Sequence, residues 1–281
     1  MEILRTVDEL RSWSRTARKQ GKTVGLVPSM GALHAGHASL IRAAAAACDR
    51  VVVSVFVNPT QFGPNEDYSR YPRTFEADCK LAETAGAKAV FAPSVEDLYP
   101  TGPDSTFVEV PGLSQRLDGG SRPGHFRGVA TVVAKLFLAA EPDRAFFGQK
   151  DAAQVAVLRR MTRDLLLGLE LVVCPIVREA DGLALSSRNA YLSATERKQA
   201  LVLSRSVRRV EELVGKGERR SAVLLSEARA VFATEPQVRI DFIELVNWET
   251  LEPVETAAAG SLLALAAYVG QTRLIDNAIL D

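Results

Sequence analysis

A doubly wound, parallel-sheet α/β domain followed by a smaller α+β domain is the architecture this 281-residue sequence predicts. Three observations carry it. First, short apolar runs alternate with helix-like stretches along much of the chain, as in sheets wound by right-handed crossovers. Second, the clearest run, VVVSVFV (Val51–Val57), is almost continuously apolar, which a parallel strand covered on both faces requires. Third, the text changes near Val177 to two amphipathic helices and then RIDFIELV (Arg239–Val246), which alternates polar and apolar. The predicted domains are therefore 1–176 and 177–281, a division that suits roughly 100–200 residues per domain.

In chain order, Met1–Gln20 reads as an amphipathic helix. Thr6-x-x-Glu9 has capping-box spacing, Leu10 and Trp13 share a face, and the helix ends near Gly21. Thr23–Pro28 reads as a short buried strand. Residues 36–48, rich in alanine, form the following helix. Beyond Val57 the chain becomes loop-like through Gly63, Pro64 and Asn65, then helical over Thr74–Ala85. AVFAP (Ala89–Pro93) is a strand, Thr131–Leu138 a helix, Arg144–Phe147 a strand and Ala152–Leu166 a helix. In the last hundred or so residues, Ser193-x-x-Glu196 caps a helix running toward Gly215 and a second covers Arg219–Phe232. RIDFIELV and LLALAAYVG then make a small antiparallel sheet.

Composition limits the function. Hydrophobic residues make up 47% and charged residues 24%, which excludes a disordered or collagen-like chain. Thirty-four Lys and Arg balance 34 Asp and Glu, so no global field attracts nucleic acid or anionic membrane. Cys48, Cys79 and Cys174 are widely spaced and odd in number, which argues against a disulfide framework or zinc cluster and fits a reducing compartment. The N-terminus lacks an apolar signal region, and the most apolar run, Ser261–Gly270, falls short of the roughly 20 residues that span a bilayer. A cytoplasmic protein is expected.

Two nucleotide signatures are excluded. Gly21-Lys22-Thr23 resembles the end of a P-loop, but Thr16 stands where that motif needs glycine, and no G-x-G-x-x-G follows a predicted strand. The stretch after the first predicted strand, Pro28-Ser29-Met30-Gly31-Ala32-Leu33-His34-Ala35-Gly36-His37, is more informative. It lies at a strand end, where open α/β sheets bind ligands and the next helix offers unpaired N–H groups. His34 and His37 share one face of that helix's first turn, and imidazoles of near-neutral pKa can donate to phosphate oxygens and gain charge. Asn58 and Gln61 follow the strongest strand, while Arg122, His125 and Arg127 form a basic patch between glycines. Lys150, in Gly148-Gln149-Lys150-Asp151, sits at another strand end, and Ser186-Ser187-Arg188-Asn189 offers hydroxyls and a guanidinium to the same anion. Each signal alone equally describes a turn or solvated loop; their convergence points to an anion-binding crevice. A zinc protein using His34, His37 and His125 is a weaker alternative, since no HExxH accompanies them and nearby cations oppose a metal. A non-catalytic nucleotide-binding regulator is another.

P-S-M-G-A-L-H-A-G-H, V-N-P-T-Q-F, R-P-G-H-F-R-G-V, F-G-Q-K-D-A-A-Q and L-S-S-R-N-A-Y-L, in this order, resemble the pantothenate synthetase (pantoate–β-alanine ligase) family from about Thr23 to Leu192, and more loosely beyond. The first motif alone would indicate only the wider HxGH nucleotidyltransferase superfamily, whose other adenylyl- or cytidylyltransferases are the nearest rivals. The resemblance implies a Rossmann-like catalytic domain with a small C-terminal lid domain. It implies ATP-dependent condensation of pantoate with β-alanine through pantoyl adenylate, with Mg²⁺ accompanying ATP, and a homodimer. Carried over by motif, His37, His34, Lys150 and Arg188 are catalytic. Pro28, Met30, Gly31, His34, His37, Gly148, Lys150, Asp151, Val177, Ser186, Ser187 and Arg188 bind ATP. Gln61, Gln154 and Met30 hold pantoate, and Asn58, Arg122 and His125 line the cavity; metal ligands are not identified. A lid is expected from Phe62–Pro72 or the C-terminal domain. The sequence departs from the family at Ser29, where Thr is usual, at Gln149, where Glu is common, and at Ala153, where a second Gln is usual.

Overall fold

In a computed structural model, residues 1–64, 66–102 and 105–281 are described; Asn65, part of the expected loop and lid segment, lies outside them. The larger part comprises β1 (Glu2–Leu4), α1 (Val7–Lys19), β2 (Val24–Ser29), α2 (Ala35–Ala47), β3 (Arg50–Val55) and α3 (Phe75–Ala85). It continues through β4 (Ala89–Phe91), α4 (Val95–Leu98), α5 (Asp118–Ser121), α6 (His125–Ala140), β5 (Arg144–Gly148), α7 (Ala152–Asp164) and β6 (Glu170–Cys174). The six strands form one parallel sheet in the order β1-β4-β3-β2-β5-β6. One face packs against α2 and α3 through Val27, Ile41, Val53, Ala82 and Phe146. The other packs against α1, α6 and α7 through Leu10, Leu26, Val133, Phe147 and Leu158. Helices on both faces explain the nearly continuous apolar character of β3.

The remainder comprises α8 (Ala194–Gly215), α9 (Ser221–Phe232), β7 (Val238–Asn247), β8 (Ser261–Val269) and β9 (Thr272–Leu280). Its strands form an antiparallel sheet in chain order. Leu263, Leu265, Ala267 and Val269 of β8 face the cluster built by α8 and α9, whereas Leu262 and Ala264 join the core of the larger part. Both faces of β8 are covered at that end, so LLALAAYVG does not alternate.

Several boundaries differ from expectation. Met1–Gln20 is not one helix: residues 2–4 make an edge strand paired with β4, and the capping box begins α1 only at Val7. A three-residue strand is too short to show a period. β6, in ELVVC, was not predicted; it sits at the opposite sheet edge, and three of its five residues are only half-buried. β3 ends two residues early, and α6 begins at His125 instead of Thr131 because the Gly124 backbone, at φ +82°, turns the chain directly into the helix. β9 carries Asp276 and Asn277 in its middle, which hides its apolar pattern.

Candidate functional site

β2 and β5 lie side by side at the centre of the sheet, with β3 and β4 beyond one and β6 beyond the other. The strand order thus reverses between them, and the crevice at their carboxyl ends is where such sheets receive ligands. After β2 the chain turns through Met30–His34 into α2. Gly31 has φ +86°, and a Cβ there would meet Asp78 Oδ2 at 3.0 Å and Val55 at 3.1 Å, so the turn requires glycine. Asp78 on α3, only 2% exposed, shapes this turn. It accepts the Ala32 and Leu33 N–H groups at 3.0 and 2.7 Å and the Thr74 hydroxyl at 3.0 Å. The Ser29 hydroxyl donates to the Ser54 carbonyl and accepts from the Gly31 N–H at 3.3 Å.

His34 caps α2, its Nδ1 accepting the Gly36 N–H at 3.2 Å, while His37 Nδ1 accepts the His34 N–H at 3.3 Å. A ring nitrogen that accepts carries no proton, so each neutral ring holds its hydrogen on Nε2. The ring centroids are 4.1 Å apart. Burial, reinforced by the positive Lys150, lowers the His34 pKa to about 4; burial and the neighbouring His34 lower that of His37 to about 3. The expectation of imidazoles titrating near neutrality is corrected: at pH 7 both are neutral N–H donors.

The β5 end supplies a 3₁₀ turn, Gln149–Asp151, in which Lys150 Nζ stands 3.5 Å from Asp151 Oδ1. A cavity of about 610 Å³ opens beside this turn, and its wall includes Arg122, His125, Lys150, Asp151, Gln154, Ser186 and Arg188. This wall joins segments far apart in sequence, but it does not include Met30, His34, His37 or Gln61. The Ser186 hydroxyl accepts the Arg188 N–H at 3.3 Å, and the Val177 carbonyl receives the Leu185 N–H at 2.9 Å; Ser187 begins the 3₁₀ turn that carries Arg188. Gly148 begins the Lys150 turn, and Pro28 lies opposite Ser54 on β2 just before the Met30 turn.

The cationic groups already have partners. Arg188 forms two hydrogen bonds to Asp67, at 3.1 and 3.0 Å, and Arg122 is forked onto Glu66. Burial alone would raise both carboxyl pKa values, but the hydrogen bonds and charge of the two arginines outweigh it and hold both below the usual range. His125 donates from Nδ1 to the Gln61 carbonyl at 2.9 Å, which leaves Nε2 to accept from Arg122 Nη1 at 3.0 Å. Burial, with Arg122 adding to it, lowers its pKa to about 4. His125 thus orients Arg122, and neither of its ring nitrogens is left over for a metal.

Asn58 does not line the cavity. Its amide is 1% exposed, donates to Gln61 Oε1 and the Gly128 carbonyl at 3.1 Å each, and accepts from Tyr99 at 2.8 Å. It braces Gln61, whose Nε2 reaches Met30 Sδ at 3.0 Å. Gly128 allows this approach of α6, since a Cβ there would overlap the Thr60 carbonyl. Sequence reasoning missed Asp78, Glu66 and Asp67. Glu66 and Asp67 act through partners distant in sequence, and Asp78, besides the nearby Thr74 hydroxyl, holds two N–H groups some 45 residues away. Among the described residues no three or more His, Cys, Asp or Glu side chains gather as a metal site.

Two neutral imidazoles at the end of β2, a lysine at the adjoining end of β5 and, on the neighbouring cavity, two guanidinium groups give this doubly wound α/β protein a donor-rich crevice beside the switch point of its sheet. The profile of the pantoate-beta-alanine ligase family matches residues 2–279. The pantothenate synthetase of Acidobacterium capsulatum is 61% identical over 99% of this chain and 94% of its own. The crystal structure of pantothenate synthetase from Thermus thermophilus superposes with a TM-score of 0.93 at 46% identity, covering 99% of each chain. Pantoate-beta-alanine ligase from Francisella tularensis, solved in complex with beta-gamma ATP and beta-alanine, superposes at 0.81 with 33% identity, covering 99% and 97%. The chain belongs to the pantoate-beta-alanine ligase family.

Proposed function

We propose that this protein condenses pantoate with β-alanine, driven by ATP, to give pantothenate, AMP and pyrophosphate through a pantoyl adenylate. Family membership over nearly the whole chain supports the reaction. The observation that carries the site is the meeting of Arg122, Lys150, Gln154 and Arg188 on one cavity beside the His34–His37 turn.

In the first step a pantoate carboxylate oxygen attacks the α-phosphorus in line. The new O–P bond forms as the bond to pyrophosphate breaks. Negative charge must accumulate where an anion approaches a polyanion, so fixed donors matter most. Lys150 and Arg188 supply positive charge, and His34 and His37 donate from Nε2. Pro28, Met30, Gly31, Gly148, Asp151, Val177, Ser186 and Ser187 complete the nucleotide's surroundings. Gln61 and Gln154, with Met30, hold pantoate, and Arg122, oriented by His125, closes the carboxylate side. In the second step the free amine of β-alanine attacks the acyl carbon, AMP leaves with the bridging oxygen, and the amine loses a proton. Magnesium would arrive with ATP as part of the substrate, and its ligands are not assigned to residues of this chain.

The adenylate has to be shielded from water, a role for Phe62–Pro72 and for residues 177–281 as a lid domain. We place the enzyme in the cytoplasm, as its sparse, unpaired cysteines suggest, and as a homodimer, as the family resemblance implies; no helix among the described residues is long and apolar enough to cross a membrane. The test is incubation with ATP, Mg²⁺, pantoate and β-alanine, omitting one component at a time. Steady AMP formation that needs both organic substrates is expected, with pyrophosphate release that needs pantoate. AMP formation indifferent to pantoate, or pyrophosphate release with another acid alone, overturns the reading.

A further inference from the structure

The Lys150 turn is not secured by its own helix: Asp151, the residue preceding α7, makes no side-chain cap. Asn277, on β9 of the small sheet, secures it. This amide is 4% exposed, and its Nδ2 donates to the backbone carbonyls of both Gln149 and Lys150, at 3.0 and 2.9 Å. Its Oδ1 accepts from Gln149 Nε2 at 3.2 Å, so both ends of the amide are engaged with this turn.

The platform behind Asn277 is rigid. β9 pairs with β8 without a register break, Asn277 standing opposite Ala264 and Asp276 opposite Leu265. Asp276 Oδ1 accepts the Asn277 N–H at 2.8 Å. The same carboxylate takes two bonds from Arg178, at 2.7 and 2.9 Å, and Arg178 belongs to the segment leading to Ser186–Arg188. Two adjacent β9 residues therefore touch both arms of the nucleotide crevice.

We propose that Asn277 is a positioning residue for adenylate formation: by fixing the carbonyls of Gln149 and Lys150 from the second sheet, it sets where the Lys150 ammonium stands. It does not touch substrate. The inference rests on the reading of Lys150 as a group that faces the reacting phosphates. Misplacing such a group by about 1 Å can cost on the order of 100-fold in rate, whereas an amide that merely stabilises the fold changes melting temperature without a specific coupling to one side chain.

A double-mutant cycle separates these cases. Asn277→Ala, Lys150→Ala and the combined variant are compared with the unaltered protein by rapid-quench measurement of pyrophosphate release with saturating ATP, Mg²⁺ and pantoate. Melting temperature is recorded for each. Asn277→Ala is expected to slow release by about ten- to 100-fold in the otherwise unaltered chain and by less than twofold once Lys150 is alanine. Losses that multiply in the combined variant, or a rate for Asn277→Ala within twofold of the unaltered protein, overturn the proposal and leave the site reading standing. Full activity of Lys150→Ala overturns the site reading and the proposal with it. Should Asn277→Ala not fold, Asn277→Ser keeps one donor and enters the same cycle, with the same two outcomes deciding.

Discussion

In the proposed mechanism Lys150 supplies positive charge while His34 and His37 serve as neutral donors, because burial lowers both imidazole pKa values, to about 4 and about 3. This division predicts a contrast. Lys150→Ala should lower kcat for adenylate formation by about 100-fold or more, the scale of losing a donor aimed at developing charge, with the KM for pantoate little changed. Gln154→Ala should raise that KM and leave ATP affinity alone. Transient kinetics of pyrophosphate release, together with ATP titration, checks both; the reversed pattern would exchange the two assignments. At this scale the sequence was most legible where chemistry and turn geometry coincide: two of only three histidines stand at one strand end. Asp78 was illegible, since its partner Leu33 lies 45 residues away and a carboxylate early in a helix ordinarily reads as a favourable charge. Asn58 misled for a related reason: a turn amide next to Gln61 gives no hint that the fold buries it.

The turn into α2 depends on α3, although β3 and a long connection separate the two helices along the chain. Asp78→Asn keeps the shape but replaces one accepting oxygen with a donor that faces backbone N–H groups. It should cost about 1–3 kcal/mol of stability, the range for leaving a buried partner unsatisfied, and lower kcat/KM by loosening the His34–His37 pair. Urea unfolding and steady-state kinetics test this; unchanged values in both would show that the turn holds itself. Elements were readable in proportion to their length and apolar contrast. β3 and α1's capping box were plain, while β1 has three residues and β6 lies half-exposed at an edge, so neither imposes a period. The start of α6 was hidden by glycines that look like loop and serve instead as a tight entrance and a close approach.

For the molecule as a whole, acid is the revealing variable. His34, His37 and His125 are lowered from 6.5 to about 4, 3 and 4. Below pH 6.5 the unfolded chain takes up protons that the folded one refuses, so stability should be fully present above that value and fall as pH drops toward 4. Urea midpoints measured from pH 7 to 5 test it. A midpoint that rises on acidification would contradict the neutral assignment of the rings. The change from parallel to antiparallel patterning was visible in the sequence, but the seat of the second sheet was not, because β8 turns alternate residues toward two different cores. One consequence belongs to the paired acids Glu66 and Asp67. Since Arg122 and Arg188 are already paired with Glu66 and Asp67, an incoming anion that takes either guanidinium displaces a tethered carboxylate, and that contact becomes an exchange of counterions at nearly constant local charge. Its dependence on ionic strength should accordingly be shallow for a crevice so rich in arginine.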